Sequence, residues 1–369
     1  MTSDSSNRNG ANTGSRLTYL DWVRGLAVVI MLQGHVFHSF ARQDLRNDGP
    51  FVLSQFFGGM GPAMFLVLTG ITLAFLMDGR QRQGLGPMAR WSAALRRAGY
   101  LFTLAILFRI QLWAFAYPQS SWTNLFKVDI LNCMGLAIAL MSIMAIFTTA
   151  ERVRLCAVLG VAIAAASPVV SSMNWTWLPQ ESVAYIVPST QYFAFFPWAA
   201  FIAFGISIGS VLRLVEPAQT NRMMQWGALL GLALIAGGQY FSNLPFSVYS
   251  KSDFWLDSPG LIVIRLGAVM LILAFAYVWS EFAVGSAWSW VRQLGTTSLL
   301  VYWVHIELVY GRWFGSWKDS MNNIECAFAA VVVIALMLGL SLLRTNWPSV
   351  RAAFRPLFSA QNPRRVSGD

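Results

Sequence analysis

The sequence predicts an all-α membrane protein, a polytopic bundle of about ten spanning helices with both termini cytoplasmic. Three observations carry this. Of 369 residues, 56% are hydrophobic and 11% charged, whereas soluble domains carry about 25% charged residues. Too few charges remain to cover a water-facing surface, and the mean hydropathy is +0.54. Apolar runs of about 20 residues, the length that crosses a bilayer as a helix, succeed one another with short polar breaks. The third observation is the distribution of Lys and Arg. Seventeen fall on the connections and tails sharing a side with the N-terminus and six on the opposite connections, and such an excess marks the cytoplasmic side.

The spans read from the sequence are 17–40, 58–77, 97–116, 128–148, 154–172, 190–212, 225–242, 260–281, 295–314 and 324–343. The ninth is short and rich in aromatics. Residues 1–15 are small and polar and read as a disordered tail. They are not followed by the short apolar core and small-residue cleavage site of a secretory signal. Residues 16–344 form the transmembrane domain, and 345–369 a basic tail against the inner leaflet. The expectation is an integral multi-pass protein of a bacterial inner membrane, with the lipid bilayer as its first partner. The net charge of +10 is accounted for by orientation, and no basic patch interleaved with aromatics suggests nucleic acid. Cys133, Cys156 and Cys326 lie in or beside apolar runs without a CxxC pair, so neither a disulfide framework nor a metal site is expected.

The first span, RLTYLDWVRGLAVVIMLQGHVFHSF, carries Asp21, Arg24, His35 and His38. Ionisable groups in a spanning helix are costly and mark functional paths. Eleven residues separate Arg24 from His35, nearly three turns, so both project from one face about 16 Å apart along the axis. That suits a charged anchor near the cytoplasmic face and a titratable imidazole towards the outer one. The second span, from Pro62, places Thr69, Gly70 and Thr72 along its middle, where small residues allow close helix contact. The 78–97 connection holds Arg80, Arg82, Arg90, Arg96 and Arg97. It reads either as the topology signal or as a seat for the phosphates of a nucleotide-like donor.

Span three ends LFRIQLWAF and brings Arg109 towards the outer half. Span four opens KVDILNCMG, with Asp129 and Asn132 on one helix face; Asp129 suits either an active site or a helix cap. The aromatic, Pro-containing connection 173–190 reads as a membrane-interface belt or as a platform for a sugar, and 243–259 resembles it, so that two such loops on one face would frame a vestibule. Pro197 lies inside an apolar run and predicts a kink. Arg265 is a further intramembrane charge. His305 and Glu307 in span nine are two residues apart and point to different faces; His305 suits a site or a satisfied position in the bundle.

These segments together resemble a known family. R-x-T-x-L-D-W-V-R-G-L-A-V followed by His35 is similar to the opening of the multispanning acyltransferases of the acyltransferase family 3 superfamily, closest to the heparan-α-glucosaminide N-acetyltransferase-like branch. GPAMFLVLTGITLAF, VDILNCMGLA, FFPWAAFIAFGISIG and LGTTSLLVYWVHIELVY fit in the same order. The RxxR arrangement of the superfamily's third helix is absent: Arg96 and Arg97 are adjacent and Arg109 stands alone. The resemblance implies transfer of an acyl group from acetyl-CoA or another acyl-CoA, on the cytoplasmic side, to a carbohydrate acceptor at or across the membrane.

With that chemistry, His35 is the expected general base, or a transient acyl acceptor, since imidazole is suited to moving the acceptor's proton. Asp129 would orient or charge-balance it, and Arg109 would stabilise the oxyanion. Arg24 with Arg96 and Arg97 would hold the CoA phosphates, and His305 is the next candidate base. A homo-oligomer is compatible with this reading. Two rivals use the same charges: a transporter or flippase for a sugar or lipid-linked substrate, and a non-catalytic scaffold whose polar stripe specifies helix packing.

Overall fold

The computed structural model describes residues 17–284 and 287–347. The N-terminal tail 1–15 and the greater part of the 345–369 tail lie outside the described residues. Thirteen α-helices follow in order: α1 Thr18–Phe40, α2 Gly49–Gly58, α3 Met60–Arg82, α4 Pro87–Phe115, α5 Ile130–Met141, α6 Thr149–Ser172, α7 Gln180–Ile186, α8 Phe195–Leu214, α9 Thr220–Ser242, α10 Pro259–Trp279, α11 Trp290–Thr296, α12 Ser298–Tyr310 and α13 Asn323–Thr345. Among the described residues, eight helical segments are long and apolar enough to cross a membrane. The two remaining expected spans are helices as well. The seventh, α9, is diluted by Gly227, Gly231, Gly237, Gly238 and two glutamines. The ninth is the 13-residue α12, offset from the short α11 at Thr297.

Local chemistry sets the helix ends. Thr148 with Glu151 and Asn322 with Glu325 form capping boxes at α6 and α13, each satisfying two otherwise orphaned backbone donors. Pro87 and Pro259 sit in the first turns of α4 and α10, where a missing N–H costs nothing. Pro197 does likewise. Phe196 is extended at φ −86°, ψ 131°, a kink at the position the sequence predicts, and the regular part of α8 starts at the proline.

The bundle closes around α1. It packs against α2, α3, α10, α11, α12 and α13, and its residues run through both buried hydrophobic clusters, Tyr19 to Ala27 in one and Val28 to Ala41 in the other. Two crossings bring backbones together. A Cβ added at Gly70 would stand 2.2 Å from the Ile202 carbonyl oxygen, and one at Gly205 2.2 Å from that of Val67, so α3 and α8 meet with no room for a methyl. At the second, a Cβ on Gly25 would stand 1.7 Å from the Val291 carbonyl oxygen and one on Gly295 1.9 Å from that of Asp21. This is the small-residue contact that helices use where hydrophobic burial gives no drive to associate.

The basic 78–97 stretch is mostly helical, with only residues 83–86 between α3 and α4. Asp78 is buried and binds Arg82 at 2.8 Å, Arg213 at 2.6 Å and the Thr149 hydroxyl at 2.9 Å. Arg90 donates to Gln81 Oε1 and to the Ile146 carbonyl. Asp78, Arg82 and Arg90 together therefore tie α3, α4, α6 and α8 at one end of the bundle. Arg265 lies 5.5 Å over the Trp198 ring, a cation–π seat that keeps its charge off lipid.

Candidate active site

His35 is eleven residues, about three turns, beyond Arg24 on α1, and both line one cavity of about 660 Å³. Arg97 and Arg109 of α4 line the same cavity, as do Ser298 and Tyr310 of α12 and Arg344 at the end of α13. Arg97 to Arg109 and Ser298 to Tyr310 are each twelve residues, about 18 Å of rise, against about 16 Å from Arg24 to His35. All three helices contribute residues a similar rise apart to the wall of this cavity. Arg24, Arg97 and Arg344 mark one end of the cavity, and His35, Arg109, Asp129 and Tyr310 the other.

At that second end the structure joins two histidines that are 270 residues apart in sequence. His35 Nδ1 lies 2.9 Å from His305 Nε2, with the rings 11° from parallel. His305 is fully buried, and its Nδ1 lies 2.8 Å from the Val301 carbonyl oxygen. A carbonyl oxygen only accepts, so His305 Nδ1 carries a proton, and in the neutral ring Nε2 is then the acceptor. His35 must donate to it from Nδ1. The consequence is a fixed tautomer: the proton-accepting nitrogen of His35 is Nε2, on the ring that lines the cavity. This assignment follows from the hydrogen-bond network. Among the described residues no third His, Cys, Asp or Glu joins the pair in a metal-ligand set.

Tyr310 packs edge-on against His35 at 5.4 Å between centroids, and its hydroxyl lies 3.2 Å from His38 Nδ1. His38 itself is exposed. Asp129 caps α5, accepting from the Leu131 and Asn132 N–H groups at 3.0 and 3.1 Å and from Asn132 Nδ2 at 3.2 Å. Its second oxygen lies 3.2 Å from Arg109 Nε. Asp129 is thus both cap and cavity wall, and its charged partner is Arg109. The partner of His35 is His305.

Arg24 is paired with Asp21 at 2.9 Å. Arg97 lines the cavity and lies 5.6 Å over the Tyr100 ring. Arg96 points elsewhere, folding back on Ser92. Residues one apart on a helix are turned by about 100°, so only one of the adjacent arginines can face the cavity. Sequence reasoning gave Arg344 no role beyond the charge count at the end of the transmembrane domain; its place in the last turn of an apolar helix was the available signal.

No curated protein matches the chain. The family model described as heparan-alpha-glucosaminide N-acetyltransferase, catalytic, matches residues 16–241. That stretch is more than half of the chain and runs from the start of α1 nearly to the end of α9, with Arg24, His35, Arg97, Arg109 and Asp129 inside it. The chain belongs to the heparan-α-glucosaminide N-acetyltransferase catalytic-domain family.

Proposed function

We propose that this protein is a membrane acetyltransferase that moves an acetyl group from acetyl-CoA to a carbohydrate acceptor, with His35 as general base. One observation supports the reading above the others: a single cavity holds three arginines at one end and an oriented imidazole at the other. The family membership supplies the class of reaction. Guanidinium groups recognise phosphate oxygens in bidentate fashion, and Arg24, Arg97 and Arg344 together suit the phosphates of CoA. The excess of Lys and Arg on connections at that end supports a cytoplasmic placement, the side where acyl-CoA is found. The rest of the donor extends along the cavity towards His35, past Thr69 and Thr72 of α3.

In the proposed step the acceptor hydroxyl or amine gives its proton to His35 Nε2 as its oxygen or nitrogen attacks the thioester carbonyl. His305 accepts the Nδ1–H bond and steadies the imidazolium that forms, the role an orienting partner plays for any general-base histidine. The carbonyl oxygen takes on negative charge, and Arg109, held by Asp129, is the cation facing it. Collapse breaks the C–S bond. The CoA thiolate leaves and recovers the proton from His35, and the acetylated acceptor departs.

The test is CoA release from acetyl-CoA by purified protein in detergent, wild type beside His35→Ala, with amino sugars and simple glycans as acceptors. Acceptor-dependent release by the wild type and none by a folded His35→Ala protein is the expected result. Turnover retained by His35→Ala would sink the assignment. A cavity lined at both helix ends is also what a transporter would use, and solute flux in proteoliposomes without CoA consumption would favour that second reading.

A further inference from the structure

The cavity that holds His35 has a neighbour. A second cavity of about 290 Å³ shares Arg109, Leu112, Ile306 and Tyr310 with the first. A third, of about 470 Å³, meets the second at Asn124 and Lys127. The second cavity therefore lies on the far side of Tyr310 from the arginine end, with space beyond it.

Its wall contains Glu307, a residue the acyl-transfer chemistry does not use. Glu307 is 8% exposed; Trp313 and Lys318 face its carboxylate, while its Oε2 has no hydrogen-bond partner among the described residues. Trp113, across the same cavity, presents a buried indole N–H that is likewise without a partner. A buried carboxylate oxygen and a buried N–H left unpaired destabilise a fold unless something satisfies them. The terminal torsion of a glutamate is broad, so a small rotation turns the oxygen to the cavity. One unmet acceptor and one unmet donor lining one cavity suit a group that can both donate and accept, which is what a hydroxyl does. Trp113 also stacks on Trp122, with 4.4 Å between centroids, giving that wall an aromatic surface.

We propose that the second cavity is the acceptor subsite. It takes a hydroxyl-rich ring, with Glu307 accepting a hydrogen bond from one hydroxyl and Trp113 donating to an oxygen of the ring. The reactive group passes Tyr310 to reach His35, and the third cavity leaves room for the remainder of a larger glycoconjugate. The bland alternative is that ordered water satisfies both groups. The proposal rests on the acyl-transfer reading, and its test separates the two.

CoA release is followed with the full-length protein, acetyl-CoA as donor, and methyl glucoside or glucosamine as acceptor; acetyl-CoA binding is measured separately. Glu307→Gln replaces the charged acceptor with a weaker neutral one and is expected to raise the acceptor KM about 10-fold, leaving the acetyl-CoA KM within about two-fold. Asn124→Trp narrows the mouth from an exposed position in a short 3-10 turn, and is expected to raise the acceptor KM as well. An acceptor KM unchanged in both variants overturns the subsite and leaves water as the occupant. A wild type that binds acetyl-CoA yet acetylates neither sugar also overturns it, while a wild type that does not bind acetyl-CoA overturns the transfer reading beneath it.

Discussion

Replacing His305 tests the tautomer argument most directly. His305→Ala leaves the His35 Nδ1–H, now 2.9 Å from its acceptor, without a partner. An unsatisfied buried donor costs about 1–3 kcal/mol, which as lost transition-state stabilisation is about 5- to 160-fold in kcat/KM. That is the lower bound, because His35 is also freed to carry its proton on Nε2, the nitrogen that must accept. Loss of the orienting group in a related catalytic arrangement costs about 10⁴. The expected fall in kcat therefore lies between these limits, with the acetyl-CoA KM within about two-fold because no arginine has moved. His305→Gln places an amide oxygen near the position of Nε2 and should recover activity to within about 10-fold of wild type. The assay is thiol release read with a chromogenic disulfide. Its background is low because Cys133, Cys156 and Cys326 are all buried. Turnover of His305→Ala within about three-fold of wild type would refute the reasoning, and so would a glutamine variant no better than alanine.

Two further predictions follow from the same cavity. Arg24→Ala, Arg97→Ala and Arg344→Ala should each raise the acetyl-CoA KM about 5- to 10-fold, and more in combination, through loss of charge-assisted phosphate contacts. Arg96→Ala, whose side chain folds back on Ser92, should leave that KM unchanged; equal effects from Arg96 and Arg97 would show that the cavity does not bind the donor. With a hydroxyl acceptor, kcat/KM should fall as pH is lowered through the imidazole titration, with unit slope, because only neutral His35 can take the proton. A profile that stays flat over the whole acid range in which the protein remains folded would exclude a histidine base.

Much of the fold was legible because a membrane leaves few choices. Runs such as Asn323–Thr345 must be helices once they enter lipid, and cap residues marked several ends. α1 was the most readable element, since a charge on an apolar helix needs a reason and Arg24 and His35 share one face by simple periodicity. The pairing of His35 with His305 was not legible. It joins positions 270 residues apart, and periodicity within α12 says nothing about which other helix its histidine meets. Asp129 read equally as cap or site residue, and the structure gives it both a cap and Arg109. The 78–97 arginines illustrate the converse. Their number suggested phosphate binding, yet Arg82 and Arg90 are consumed by Asp78, Gln81 and a carbonyl, partners visible only after folding.

The glycine of the first-helix motif explains why the two histidines meet. Gly25 and Gly295 touch backbone to backbone, and His35 and His305 each lie ten residues further on. Equal numbers of residues give equal rise, about 15 Å on each helix, so a contact fixed at the glycines sets the two imidazoles at one height despite the offset at Thr297. Arg24 beside Gly25 is chemistry and Gly25 itself is alignment. Gly25→Ala should therefore do more harm to catalysis than its single methyl suggests. A Cβ 1.7 Å from the Val291 carbonyl oxygen cannot be absorbed by rotating a side chain, so α11 must shift by an ångström or more and carry α12 with it. Overpacking costs about 1–3 kcal/mol of stability, a loss the bundle can survive, while misplacing the imidazole pair by about 1 Å costs about 10²-fold in rate. The expected outcome is a protein that still elutes as a folded species in size-exclusion chromatography, with a lowered melting temperature and kcat down by about two orders of magnitude. Full activity in a Gly25→Ala protein would mean that the α1–α11 crossing does not set the His35–His305 geometry.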